Sequence, residues 1–193
     1  MKFVYAEGAT PFEADEIHNL LQKHISTQKE LDELEQRNIV QGSLWAFSEK
    51  RKNILTSSFL LKLHKKMFDE VWSWAGKQRD YQTNIGVAPH MISLEIAQLL
   101  GDVEFQIQSS TYHLDEIVAR FHHRLVCIHP FRNGNGRHAR LMADLLLYNQ
   151  NQPIFTWGKD SLGSPTDLRK SYITALKSAD KNDINSLLAF VRS

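Results

Sequence analysis

His129-Pro130-Phe131-Arg132-Asn133-Gly134-Asn135-Gly136-Arg137-His138-Ala139-Arg140 joins the end of one apolar helical stretch to the start of another. Gly134-Asn135-Gly136 lets the backbone adopt positive φ values that larger residues resist. Consecutive N–H groups then point into one concavity, and the helix that follows adds its positive end. Such a nest binds anions. Arg137 and Arg140 are three residues apart on that helix, so both guanidinium groups can lie on one face and grip phosphate oxygens. His129 precedes the nest and is the best general base in the segment, because its ordinary pKa lies near neutrality. The combination suits a hydroxyl, deprotonated by His129, attacking a nucleotide phosphate. A lone Gly-x-Gly would be only a helix start, but base, nest and paired arginines together are far more specific.

Outward from this segment the pattern is helical almost throughout. The expected helices cover residues 12–23, 28–47, 57–74, 91–108, 114–128, 136–149, 165–178 and 182–191. Thr27 and Glu30 form a capping box, and Ser164-Pro165 is a cap followed by proline at the first helical position. Leu31, Leu34, Ile39 and Trp45 make the apolar stripe of the 28–47 helix, with Glu35 beside it. His64 lies on the apolar face of the next helix and reads as a core histidine. Residues 77–90 break the pattern, and Arg79 to Val87 reads as a short hairpin or extended flap.

The 193-residue chain is long enough for one domain with a real core. With 23 Lys+Arg against 22 Asp+Glu, it lacks the excess of positive charge that direct nucleic-acid binding needs. No apolar run is long enough to span a membrane, and the N-terminus has no signal-peptide pattern, so a cytoplasmic protein is expected. The only cysteine, Cys127, excludes an internal disulfide and is expected to be buried and structural. His122 and His123 are expected to line or support the pocket, and His138 to point outward. Without His-Glu-x-x-His spacing, no zinc site is expected.

Residues 129–140 resemble the active-site motif of the Fic family, His-x-Phe-x-(Asp or Glu)-Gly-Asn-Gly-Arg-x-x-Arg. Trp74 to Arg79 resembles the segment before that family's flap, and Tyr172, Leu176, Ala179 and Leu187 resemble its C-terminal helices. Within the family the chain looks closest to a bacterial subgroup called mobile mystery protein B. The resemblance implies a mostly α, single Fic-type domain at 55–193 with a small β-hairpin flap. Residues 1–54 would be an N-terminal helical extension packed on it. It also implies transfer of AMP from ATP, with Mg²⁺ or Mn²⁺, to a Ser, Thr or Tyr hydroxyl of a target protein. By the resemblance His129 is the base, Phe131 anchors the loop, and Gly134, Asn135 and Gly136 cradle the phosphates. Arg137 and Arg140 bind the β- and γ-phosphates. Thr83, Asn84, Ile85, Gly86 and Val87 dock the target as an added strand.

One position departs from the motif. Asn133 stands where the family has the carboxylate that holds the metal, which leaves a neutral oxygen as a weak ligand. A weakly catalytic nucleotide binder, one half of a toxin–antitoxin-like pair with a regulatory partner, therefore stays open as an alternative. So do a hydrolase that removes AMP and assembly as a homo-oligomer. The resemblance also suggests an inhibitory glutamate. Leu34-Glu35-Gln36 resembles the end of the family's (Ser/Thr)-x-x-x-Glu-(Gly/Asn) pattern, although Leu31 and Gln36 differ from it. Glu35 is expected to pair with Arg140 and restrain ATP.

Overall fold

The computed structural model describes residues 18–50, 53–159 and 164–193. Seven α-helices are described: α1 Gln28–Phe47, α2 Ser57–Phe68, α3 Ile92–Ser109, α4 Leu114–Ile128, α5 Asn135–Asn149, α6 Pro165–Ala179 and α7 Asn185–Val191. α4 and α5 pack against each other at the centre. α3 and α7 flank α4, α6 packs on α7, and α1 lies on α2 and touches α5. The core is filled from all of these, including Leu60, Leu63, Met67 and Phe68 of α2, Phe121 and Leu125 of α4, and Leu145 to Leu147 of α5. Among the described residues no helix is long and apolar enough to cross a membrane.

Both predicted caps hold, and the second also closes a reciprocal pair that its sequence reading did not include. Thr27 Oγ1 accepts from Glu30 N at 3.2 Å while the Glu30 carboxylate accepts from Thr27 N at 3.0 Å. Ser164 and Asp167 make the same reciprocal pair at the start of α6.

Of the stripe expected of it, α1 buries only Leu31 fully. Its inward face is Leu31, Glu35, Asn38, Gly42 and Ala46, while Leu34, Ile39 and Trp45 are partly buried at its edges. The polar members are accommodated because each finds partners. Asn38 donates to Lys66 O at 3.2 Å and accepts from Glu70 N at 3.0 Å, tying α1 to the end of α2. Gly42 permits this close approach, since a Cβ there would lie 2.8 Å from Lys66 O and 2.9 Å from Met67 Cα.

Three other expectations are corrected. The helix expected over 12–23 lies mostly outside the described residues, and its described end is not α-helical. Leu20 instead forms an antiparallel bridge with Trp72, and Leu21 N donates to Val71 O at 2.9 Å. α2 stops at Phe68 rather than Trp74, with the Asp69 N–H closing on Lys65 O. The flap contains no strand among the described residues. Its physical reason is Arg79, which is only 2% exposed. Its guanidinium donates to Tyr81 O at 2.8 Å and to Val87 O, so carbonyls that a hairpin partner would have engaged are turned onto one side chain.

Candidate active site

α4 ends at His129, whose φ of 53° turns the chain out of the helix while its N–H still reaches Leu125 O at 3.2 Å. The loop that follows is pinned from several directions. Arg79 N donates to Pro130 O at 2.9 Å and Arg79 Nε to His129 O at 2.6 Å, which joins the flap to the loop. Phe131 is fully buried and stacks on His64, with ring centroids 3.6 Å apart and 8° between planes. His64 Nδ1 accepts from Gly76 N at 2.9 Å, which leaves Nε2–H to donate to Asn133 O at 3.1 Å. Burial holds this imidazole well below its ordinary pKa, so it stays neutral and keeps that tautomer. The core histidine read from sequence is thus a strut beneath the nest.

Asn135 clamps the loop with both ends of its amide. Oδ1 accepts from Phe131 N at 2.9 Å and Nδ2 donates to Phe131 O at 2.8 Å. Its side chain is buried and so engaged within the loop. Gly134 begins α5 with φ 77°, a conformation that favours glycine, and a Cβ there would lie 2.5 Å from the Phe68 ring. Gly136 differs. A Cβ on it would meet nothing closer than Tyr172 Oη at 3.9 Å, so packing does not demand glycine. What its missing side chain preserves is open space at the start of α5, above the nest.

That space belongs to a cavity of about 940 Å³, large enough for a nucleotide, whose wall includes His129, Asn133, Gly134, Gly136, Arg137 and Arg140. Glu35, the flap residues Ile85, Gly86 and Val87, and Tyr172 of α6 share the same wall. His129 is 5% exposed. Burial, and then the nearby Arg79 guanidinium, push its imidazole down to about 4. It is therefore a neutral, proton-accepting group at neutral pH.

The two arginines are in different states. Arg137 Nη1 donates to Glu35 Oε2 at 2.6 Å, and Glu35 Oε1 accepts from Trp72 Nε1 at 2.7 Å. Arg137 also lies over the Phe68 ring, 5.0 Å from its centroid. Glu35 thus reaches a site arginine, but the first of the pair, not Arg140 as expected. Arg140 lies over Tyr172 at 4.3 Å and Trp157 at 5.8 Å, and its Nε is buried without a hydrogen-bond partner. Among the described residues no carboxylate forms an ion pair with it. Its side chain borders the same cavity as Arg137.

Hard divalent cations favour anionic oxygen ligands. At the position in question Asn133 offers a neutral oxygen, and it already accepts from Gly134 N at 2.6 Å. The Glu35 carboxylate is engaged at both oxygens. These residues do not by themselves fit a Mg²⁺ or Mn²⁺ site.

Sequence reasoning missed several contributors. Arg79 carried no signal beyond its place before the flap. Trp157 was not singled out, yet Asp144 accepts from its indole N–H at 3.0 and 3.1 Å and holds it against Arg140 and His122. His122, expected to line or support the pocket, pairs with the cavity-lining Tyr172 Oη at 2.9 Å, and burial pushes its imidazole down to about 3. His138 does not point outward. It is fully buried, with Nε2 at 3.0 Å from Leu60 O, because α5 is covered by α2 on that side. Cys127 is only half-buried and lines the cavity with His123.

A model of the Fic/DOC family matches residues 54–147. A Caenorhabditis briggsae relative named protein adenylyltransferase fic-1 is 32% identical over 123 residues, covering 61% of this chain and 22% of that protein. A Drosophila mojavensis relative named protein adenylyltransferase Fic is 29% identical over 145 residues, covering 73% of this chain and 28% of that protein. The chain thus spans about a quarter of the curated relatives it matches. Among solved structures, the BepC effector of Bartonella tribocorum with bound AMPPNP superposes with TM-score 0.70 at 18% identity, over 96% of this chain and 92% of that one. Fic-1 of Caenorhabditis elegans (residues 134–508) superposes with TM-score 0.68 at 22% identity, over 96% and 56%. At these identities the superpositions speak for the fold.

Proposed function

The chain belongs to the Fic/DOC family, and from that premise we propose that it is a protein adenylyltransferase held in a restrained state by Glu35. The observation that carries the reading is the junction of three features in one cavity. These are a neutral His129, an open nest at Gly134–Gly136, and Arg140 with a buried donor that has no partner.

In this reading ATP lies with its terminal phosphates at the start of α5, where the helix N-terminus, Arg140 and, after release from Glu35, Arg137 hold them. The hydroxyl oxygen of a target side chain attacks the α-phosphorus while His129 takes its proton. The bond from that phosphorus to the bridging oxygen breaks, pyrophosphate leaves, and AMP remains on the target as a phosphodiester. Removal of the hydroxyl proton in the transition state contributes on the order of 10²- to 10⁴-fold. The flap supports target docking. Ile85 is exposed, and with Gly86 and Val87 it lines the cavity beside His129, so a target segment reaching the base meets it. Any divalent ion would be carried chiefly by the nucleotide's own phosphates, since Asn133 supplies no charge.

The test is mass spectrometry of the protein, alone and with lysate, after incubation with ATP and Mg²⁺ or Mn²⁺. Glu35→Gly should accumulate an added AMP on itself or on a target, and His129→Ala in the same background should not. Labelling in Asn133→Asp alone would identify the natural chain as a binder disabled at the metal. Loss of AMP from a pre-labelled target would make it a hydrolase instead. No labelling in any variant, with ATP bound, would overturn the transferase reading.

A further inference from the structure

One cluster in the cavity wall has no part in that reaction. His123 and Cys127 are one turn apart on α4, so their side chains share a face, and Asp180 caps the end of α6 opposite them. His123 Nε2 lies 2.8 Å from Asp180 Oδ1, Cys127 Sγ lies 3.5 Å from His123 Nε2, and Cys127 Sγ lies 3.6 Å from Asp180 Oδ1. All three residues border the cavity. We propose that His123, Cys127 and Asp180 form a binding site for a zinc-class divalent cation, with the fourth coordination position open to the cavity.

The arrangement favours a metal over a relay of protons. A nucleophile–histidine–carboxylate relay uses the two ring nitrogens on opposite sides of the imidazole. Here thiol and carboxylate crowd the same nitrogen, so three donor atoms converge on one point. Zinc bonds of about 2.0–2.1 Å to nitrogen, 2.3 Å to sulfur and 2.0–2.2 Å to oxygen give a tetrahedron with edges of about 3.3–3.6 Å. The two edges to sulfur already have that length. The His123–Asp180 edge needs to open by about half an ångström, which the Asp180 side chain, 55% exposed, can supply by a small rotation. Asp180 also stands at the C-terminal end of α6, where the helix dipole favours positive charge. The ligand set of nitrogen, thiolate and carboxylate suits zinc better than magnesium or calcium, which take oxygen ligands. Three protein ligands with an open position is the pattern of zinc sites that exchange a ligand. Water or a donor atom of a molecule in the cavity would complete it. A bound ion would also tie α4, which carries the base, to α6, which carries Tyr172.

The experiment is titration of the chelator-treated 193-residue chain with Co²⁺ and Zn²⁺. The expected result is one Co²⁺ per chain, with a thiolate-to-cobalt charge-transfer band and the visible bands of a tetrahedral site, both displaced by Zn²⁺. Cys127→Ser should remove the charge-transfer band. Cys127→Ser and His123→Gln should each weaken Zn²⁺ binding at least tenfold, while His129→Ala should not. Zn²⁺ at ten times its Kd should raise the melting temperature of the wild type by about 3–6 °C. Cys127→Ser, a near-isosteric change, should melt like the metal-free wild type and show no such rise. Absence of binding below about 100 μM, or binding that survives in both variants, would overturn the proposal.

Discussion

Glu35 offers the sharpest test of how this site is controlled. Its carboxylate, 8% exposed, holds Arg137 at 2.6 Å and the Trp72 indole N–H at 2.7 Å. A phosphate that needs Arg137 must displace the first contact without disturbing the second. Glu35→Gln separates them, because the amide oxygen can still accept from Trp72 while its NH₂ turns a donor toward Arg137 and releases it. A charge-assisted hydrogen bond contributes about 1.5–3 kcal/mol. The Arg137 side chain is 37% exposed, so the lower end applies. About 1.5 kcal/mol corresponds to roughly tenfold in affinity. Calorimetric titration with a non-hydrolysable ATP analogue should therefore find Glu35→Gln binding about tenfold more tightly than the wild type. Glu35→Gly should gain as much affinity but lose stability. It removes the Glu35 acceptor from the buried Trp72 N–H, a cost of about 1–3 kcal/mol, and adds about 1 kcal/mol for glycine inside a helix. At about 2–4 °C per kcal/mol in a chain of this size, that variant should melt about 5–15 °C lower. Equal analogue affinity in wild type and Glu35→Gln, within twofold, would refute the restraint.

Three further outcomes are expected. The protein should be acid-labile: burial holds His129 and His138 down to about 4 and His122 to about 3, so below pH 6.5 the unfolded chain binds protons that the folded chain refuses. The contribution of each is complete above pH 6.5 and falls by about 2 kcal/mol at pH 5. Circular dichroism against pH should then show unfolding near pH 5, whereas full stability at pH 4.5 would contradict the neutral burial of these rings. Gly136→Ala should leave the melting temperature unchanged or raised, since nothing blocks the added methyl and alanine favours a helix by up to about 1 kcal/mol, yet it should weaken ATP binding at least tenfold. Unaltered ATP affinity would show that the space above the nest is not the phosphate site. Arg79→Lys should cost about 2–4 kcal/mol in denaturant unfolding, because an ammonium cannot span His129 O, Tyr81 O and Val87 O together, and a change below about 0.5 kcal/mol would remove Arg79 as the link between flap and loop.

The parts of this site that were legible in the sequence share one property: their meaning is local. The capping boxes, the glycines at the start of α5 and the i,i+3 arginines act within one turn of chain, so their spacing alone carries the reading. What was illegible depends on which helices meet. Glu35 and Arg137 are 102 residues apart, and the choice between Arg137 and Arg140 follows from where α1 crosses α2 and α5. That crossing is set by Gly42 and Asn38, two residues that look like flaws in an amphipathic stripe. The same logic explains the flap. Arg79 to Val87 has the composition of a hairpin, but a buried guanidinium competes for its carbonyls, and only the contact with the His129 loop reveals that competitor. His123 and Cys127 lie between these cases. Their i,i+4 spacing on a helix is visible without a structure, and half of a metal site could have been read from it. The third donor, Asp180, lies 53 residues after Cys127 at the end of another helix, so only the packed chain turns a buried-looking cysteine into a candidate ligand. Residues that contradict the apolar pattern of their own element are therefore where this chain places its long-range contacts, and they mark where a sequence reading should look for partners.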